Sequence, residues 1–408
     1  MHQWLSELDE QKSGKELKKA FYKKEAVKLL YVKGVRANSY MAKKLGVSIP
    51  TIQTLLNELI EEEIITDFGP GESNGGRRPN MYGLAADSFY TLGIDIGRYS
   101  SKFAVYDHKN ENISGLQDLQ IELTEDIAFV DKIYAYASKV IADTGIAYKK
   151  LIGIGINMPG LIDSARGINH NYLNFEKPIQ KIFEEKFQKR VFLENDARAR
   201  ALAELKFGKA IGKKNVLVLL LEWGVGMGMI LNGQLYKGNS GFSGEFSHIP
   251  IQEGGALCHC GKHGCLETIA SGMALVKKVE EGLMAGQASI LKSADDTYKF
   301  QLEEIIEAVK KGDLFTTSLM SNMAHHLGKG IGTLIQVLNP ELVIIGGKLS
   351  KAGEYITTPI KQSLFMHCLP KLREDVALEI SELDIEAGVL GAIAGVTNNL
   401  FQTSSPVK

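Results

Sequence analysis

Residues 241–267 read "GFSGEFSHIPIQEGGALCHCGKHGCLE" and hold three of the chain's four cysteines, at Cys258, Cys260 and Cys265. So few cysteines, so crowded, make no disulfide framework; they read as a metal site in a reduced compartment. Zinc takes four nitrogen or sulfur donors in a tetrahedron. Gly261 and Gly264 free the backbone to wrap around an ion. His248 lies ten residues before Cys258 and is the expected fourth donor, with His259 and His263 competing on sequence alone. A closed Cys3His shell has no open position, so the expected role of Zn2+ is structural, contributing on the order of 10 kcal/mol to local folding. A cluster of unliganded thiols is the bland alternative. The ion would tie the segment of Glu245 to that of Glu267, so that two carboxylates face one space and accept hydrogen bonds from a polyhydroxylated ligand.

The rest of the chain sets the frame. Its 408 residues are 44% hydrophobic and 23% charged, with a net charge of −1. Such a balance gives a globular protein of several domains without a protein-wide positive field. Any nucleic-acid contact must come from a local patch. The polar start "MHQWLSELDEQKSGKELKK" is no signal peptide, and no apolar run reaches the roughly 18 residues of a membrane span. The expected location is the cytoplasm.

A local patch exists. Residues 12–44 carry ten Lys and one Arg against Glu16 and Glu25. The ordinary reading of such a run is a solvated helix face. The next stretch, "NSYMAKKLGVSIPTIQTLLNELIEEEII", predicts helix, turn, helix. Asn38 or Ser39 caps the first helix, Gly46 breaks it, and Ser48 caps the second. Ile52, Leu55, Leu56, Leu59 and Ile60 keep the helical period. Thr51, Gln53, Thr54 and Asn57 are left to reach base edges in a major groove. "IITDFGPGESNGGRRPNMYGL" follows as a two-stranded wing with Arg77 and Arg78 at its tip, suited to phosphates or a narrow minor groove. Residues 1–86 are therefore expected to form a winged helix-turn-helix, with a plain helical hairpin as the alternative.

From residue 88 strand-like runs and helices alternate, and the pattern restarts at "NVLVLLLEW". Two α/β units, each opening on antiparallel strands, imply an internally duplicated, two-lobed fold with a cleft between lobes. The expected ranges are 87–200 for lobe 1, 201–400 for lobe 2 with the metal loop and a returning C-terminal helix, and 401–408 for a tail. Within "LENDARARALAE", Asn195 offers a donor and an acceptor suited to a sugar hydroxyl, and Asp196 is either a ligand or a helix cap.

Taken together, "GIGINMPGLID", "LENDARARALAE", "GFSGEFSHIP" with "CHCGKHGCLETIASG", and "NPELVIIGGKLS" resemble the ROK family of repressors, uncharacterised reading frames and sugar kinases. The resemblance covers roughly residues 88–400; with the winged helix ahead of it, the chain is similar to the repressor branch, the xylose and N-acetylglucosamine repressors. It implies an actin/hexokinase-like (ribonuclease H-like) double lobe and a sugar site of Asn195, Asp196, Glu245, His248 and Glu267. His248 would also complete the zinc shell of Cys258, Cys260 and Cys265. In the kinases the residue matching Asp196 is the catalytic base. Ser247 stands where the family has Gly, and Asn171 in "HNYLNF" is a further candidate sugar contact.

Two loops depart from the kinases of that family. Where they resemble Asp-x-Gly-Gly-Thr, this chain has Asp95, Gly97, Arg98 and Tyr99 in "DIGRYSSK"; where they resemble Gly-Thr-Gly-x-Gly, it has "EWGVGMG", with Glu222 and Trp223. A carboxylate repels triphosphate and an indole fills its space. The expectation is a sugar-responsive DNA-binding transcriptional regulator, a repressor of carbohydrate metabolism, in which use of ATP and Mg2+ is lost. It would act as a homodimer or homotetramer on a near-palindromic operator, with a sugar or sugar phosphate as effector, and lobe closure would reorient the DNA-binding pair. The rival is an ATP-dependent hexose or N-acetylhexosamine kinase with an accessory DNA-binding domain; a third reading is control by a protein partner. His325 and His326 in a long helix are expected to be packing or surface residues.

Overall fold

Helix formation at the N-terminal end follows apolar spacing and caps. The computed structural model describes residues 14–71, 78–292 and 299–401. Helix α1 (Gly14–Lys33) buries Ala26, Val27 and Leu30. After β1 (Arg36–Ala37) come α2 (Asn38–Leu45) and α3 (Ile49–Glu61). Gly46, at φ 65°, ends α2, and the Ser48 side chain accepts from the Thr51 amide to start α3. Buried Ile52, Leu55, Leu56 and Leu59 form the inner face of α3. Strands β2 (Ile65–Pro70) and β3 (Asn80–Leu84) pair antiparallel as the expected hairpin, and β1 adds to β3. The cap of α2 differs from expectation. Ala37 holds that position without a side-chain bond, because the Asn38 amide is drawn to Gln53 on α3.

The lysine run also differs from a purely solvated or DNA-facing strip. Lys23 is only 3% exposed and pairs with Glu58 of α3 at 2.8 Å and with Glu62, just past its end, at 2.6 Å. Burial pulls its pKa down, but the two carboxylates outweigh it and the net shift is upward. Glu58, with Lys19 and Lys23 against it, is held below the usual carboxylate range.

The same compact unit continues through β4 (Tyr90–Ile96), β5 (Ser100–Asp107), β6 (Gln117–Gln120), α4 (Ile127–Asp143), β7 (Leu151–Met158), β8 (Ile162–Asp163), β9 (Ile168–Asn169), α5 (Ile179–Phe187) and β10 (Val191–Asn195). Its main sheet has the order β10-β7-β4-β5-β6. Every residue of β7, "LIGIGINM", is buried, as a central strand covered on both faces requires. The winged helix and this sheet share one apolar cluster that runs from Leu30 and Leu59 to Phe89, Ile152, Val396, Leu400 and Phe401. Lys150, 7% exposed, donates to Asp87 and lies 3.5 Å from Glu63.

The second unit begins with α6 (Asp196–Phe207), then β11 (Val216–Leu221), β12 (Val225–Leu231), β13 (Gln234–Tyr236), α7 (Glu267–Ala270), α8 (Gly272–Met284), α9 (Leu302–Lys310) and α10 (Leu314–Leu338). It closes with β14 (Leu342–Gly346), α11 (Glu354–His367), α12 (Pro370–Glu374), β15 (Ala377–Ile380) and the first turn of α13 (Ala387–Phe401). Its sheet, β13-β12-β11-β14-β15, repeats the first: a central strand, an antiparallel meander on one side, and two further strands on the other. The duplication read from the sequence is present.

The units divide at Glu194/Asn195 and again at Gly391/Ala392. These limits differ from the ranges 87–200 and 201–400. Residue 200 lies inside α6, and the last ten residues of α13 belong with the first unit. The reason is close packing on β7: a Cβ at Gly155 would lie 2.2 Å from the Ala392 carbonyl oxygen, so only glycine admits the helix there.

Candidate functional site

The cysteine loop folds into a knuckle before any side chain is considered. The Cys258 amide donates to Lys262 O at 2.8 Å, the Gly261 amide to Cys258 O at 2.9 Å, and the Leu266 amide to Ile249 O at 3.0 Å. Gly264, at φ 72°, is obligatory, since a Cβ would sit 1.8 Å from Gln252 O. The result converges four donors. His248, Cys258, Cys260 and Cys265 present ligand atoms all within 4.8 Å of one another. His248 Nδ1 lies 3.6 Å from Cys258 Sγ, and Cys260 Sγ lies 3.6 Å from Cys265 Sγ. His263 instead turns its Nδ1 to Gly255 O at 3.0 Å. His259 joins a different group, with His248 and Glu267. Burial, with the neighbouring Cys260 and Cys258, pushes the Cys265 thiol up to about 12. Lys262 approaches too, its ammonium on His248 O at 2.8 Å.

Beside the knuckle lies a carboxylate cluster. Asn195 caps α6, its Oδ1 accepting from the Ala197 and Arg198 amides at 3.0 and 3.1 Å. Asp196 Oδ1 also accepts from the Ala197 amide, at 2.8 Å. The cap is therefore Asn195, and Asp196 opens the helix. Glu245 precedes a short 3-10 turn, Phe246–His248. Its solvent edge is open, yet the protein crowded around its carboxyl, with Asp196 and Glu267, raises its pKa against the pull of Arg198. Glu267 Oε2 is buried and, among the described residues, makes no hydrogen bond; it lies 3.3 Å from His259 Nδ1 and 3.9 Å from His248 Nδ1. Burial lowers the His248 pKa, against the pull of Glu267. An enclosed acceptor of this kind suits a ligand hydroxyl. Ser247 is buried without a positive φ, so it fits where a glycine was expected.

The phosphate-loop positions are built into the protein. Glu222 Oε1 accepts from the Lys348 amide at 3.0 Å, and Glu222 O accepts from the Gly272 amide at 3.0 Å. Trp223 packs on the apolar core of the second unit. Gly228 is retained for a packing reason: a Cβ there would meet Ala201 Cβ at 2.5 Å. In the first unit Asp95 is buried, Gly97 closes a tight turn to Ser100 O at 2.9 Å, and Arg98 lies over the Tyr99 ring. Asn171 accepts from the Leu161 amide at 2.7 Å.

On α3, Thr51, Thr54 and Asn57 are exposed, but Gln53 is half-buried and tied to Asn38, Asn57 and Tyr82. Arg78 is exposed; Arg77 lies outside the described residues. Among the described residues, His325 and His326 join no metal-binding group.

The ROK family model matches residues 91–399. The chain belongs to the ROK family. The xylose repressor of Bacillus spizizenii is 30% identical over 384 residues, 91% of this chain and 94% of its own. The glucokinase of Halalkalibacterium halodurans is 34% identical over 318 residues, 75% of this chain and 94% of its own. A solved ROK family transcriptional regulator, a homolog of the E. coli MLC protein, superposes with a TM-score of 0.77 at 25% identity, covering 93% of this chain and 97% of that one. The duplicated sheets are thus those of the actin/hexokinase-like fold.

Sequence reasoning on this ROK chain missed Arg198, and weighed His259 only as a zinc donor, not as the neighbour of Glu267. Arg198 is 2% exposed and acts on Glu245. In "DARARALAE" nothing distinguishes a buried guanidinium from a surface one. Among the described residues no helix is long and apolar enough to cross a membrane.

Proposed function

We propose that this ROK protein is a sugar-responsive transcriptional repressor. It binds operator DNA through Thr51, Thr54, Asn57, Arg77 and Arg78, and an effector sugar or sugar phosphate through Asn195, Asp196, Glu245, His248 and Glu267. The observation that carries this reading is the winged helix-turn-helix packed into one apolar cluster with the ROK sheet. The repressor relative, which spans 91% of the chain, supports it. The carboxylates supply acceptors and the buried Glu267 oxygen supplies an acceptor still to be matched. The sugar must favour one conformation, and a coupling of about 1–3 kcal/mol changes operator affinity 5- to 150-fold. The protein acts as a homodimer or homotetramer in the cytoplasm. Operator binding titrated with pentoses, hexoses, amino sugars and their phosphates tests the reading; indifference to all of them rejects it.

His248, Cys258, Cys260 and Cys265 would hold Zn2+. A tetrahedral zinc shell has S···S edges of about 3.8 Å and S···N edges of about 3.5 Å. Both 3.6 Å separations agree. The bound cation would stabilise the three thiolates. The protein's own contribution is positional: the knuckle holds His248 beside Glu267 and fixes the carboxylate for the sugar.

The second reading, a sugar kinase, is favoured by Asp196 at the head of α6 and by the glucokinase relative. Glu222 and Trp223 argue against it, since a carboxylate and an indole stand in the strand turn where triphosphate charge needs glycine amides. ADP release with glucose, mannose and N-acetylglucosamine separates the two; sustained turnover would select the kinase.

A further inference from the structure

An asparagine on a recognition helix ordinarily pairs with adenine, giving one donor and one acceptor to N7 and N6. On α3 of this protein the Asn57 oxygen already accepts from Gln53, which leaves one of its two lone pairs. Ser39 donates its backbone N–H to Asn38 Oδ1 at 2.8 Å. A backbone amide only donates, so this bond fixes which end of the Asn38 amide is oxygen. Asn38 Nδ2 is then the donor to Gln53 Oε1 at 3.1 Å. The two hydrogens of Gln53 Nε2 go to the Tyr82 hydroxyl and to Asn57 Oδ1, each at 2.9 Å. Each bond sets the polarity of the next, from α2 through α3 to the wing strand β3.

Asn57 is exposed on the same helix face as Thr51 and Thr54. Among the described residues its Nδ2 meets no acceptor. Building on the operator-binding reading, we propose that Asn57 reads guanine, giving its Nδ2 hydrogens to N7 and O6, and that Gln53 is the residue that positions it. Guanine shows two acceptors in the major groove, whereas adenine offers one acceptor and needs, for its amino group, the same oxygen that Gln53 already engages. Thymine O4 offers a single acceptor. Gln53, expected from the sequence to touch bases itself, has its amide committed inside the protein.

The test uses the full chain and selection from a random duplex library. The expected site carries, in each half, a guanine that becomes indifferent in Asn57→Ala. Replacing that guanine by 7-deazaguanine weakens wild-type binding about tenfold. Gln53→Met frees the Asn57 amide to rotate, so adenine comes within about threefold of guanine at that position alone, with non-specific DNA affinity unchanged. Tyr82→Phe, which removes one anchor of Gln53, relaxes the same position in the same direction and stands if Gln53→Met misfolds. Adenine preferred at the Asn57-dependent position, or no position altered by Asn57→Ala, overturns the inference while leaving operator binding intact. If no site is enriched at all, the operator-binding reading fails and the inference with it.

Discussion

The hydroxyl of Tyr31, near the end of α1, hydrogen-bonds Asn110 Oδ1 at 2.8 Å in the turn after β5. The ring sits 6.0 Å from Phe89 and 5.3 Å from Phe401, centre to centre. The winged-helix module and the first ROK sheet therefore meet at this half-buried side chain as well as through their shared apolar cluster, and burial raises the tyrosine pKa.

Tyr31→Phe keeps the ring and removes the bond. It should cost about 0.5–1.5 kcal/mol of stability by denaturant titration. Sugar affinity and sugar-free operator affinity should persist, while the ratio of operator affinities with and without sugar moves toward one. An unchanged ratio would mean that this contact does not carry the coupling.

Zinc content should be one ion per chain by elemental analysis. Cys265→Ser or chelation should remove it, lower the melting temperature of the second unit and abolish sugar binding. A chelated protein that still binds sugar with unchanged affinity would show that the knuckle does not shape the site.

Glu267→Ala deletes the buried acceptor beside His259. Hydrogen bonds to charged groups contribute about 1.5–3 kcal/mol, so sugar affinity should fall roughly 10- to 150-fold by calorimetry. The metal content should stay at the wild-type value, which separates a lost ligand contact from a collapsed loop.

Asp313 gives a pH-dependent term in stability. It caps α10 and accepts from the Thr316 amide at 2.8 Å, the Thr316 hydroxyl at 2.9 Å and the Ile290 amide at 2.7 Å. Burial raises its pKa, but these donors outweigh it and the folded value is lowered. Its stabilising contribution is therefore present above the unfolded value of about 4 and lost as pH falls through the lower, folded value. Asp313→Asn should be less stable than wild type at pH 7, with the gap closing as pH falls below about 4 and through the lower folded value. A gap that stays constant in thermal melts over that range would refute the assignment.

Local rules made much of this protein legible from its sequence. The 3.6-residue spacing of Ile52, Leu55, Leu56 and Leu59, the Gly46 break and the Ser48 cap are interactions over a few residues, and they hold. The two strand–helix patterns marked the duplication. The His248, Cys258, Cys260 and Cys265 donors were readable because a short loop must bring them together. What tertiary structure decided depends on partners far along the chain. Lys23 meets Glu58 and Glu62, Gln53 meets Tyr82, Tyr31 meets Asn110, and α13 rests on the glycines of β7. Spacing fixes which face of an element is apolar. Only packing fixes which polar group, too costly to bury alone, finds its partner on another element.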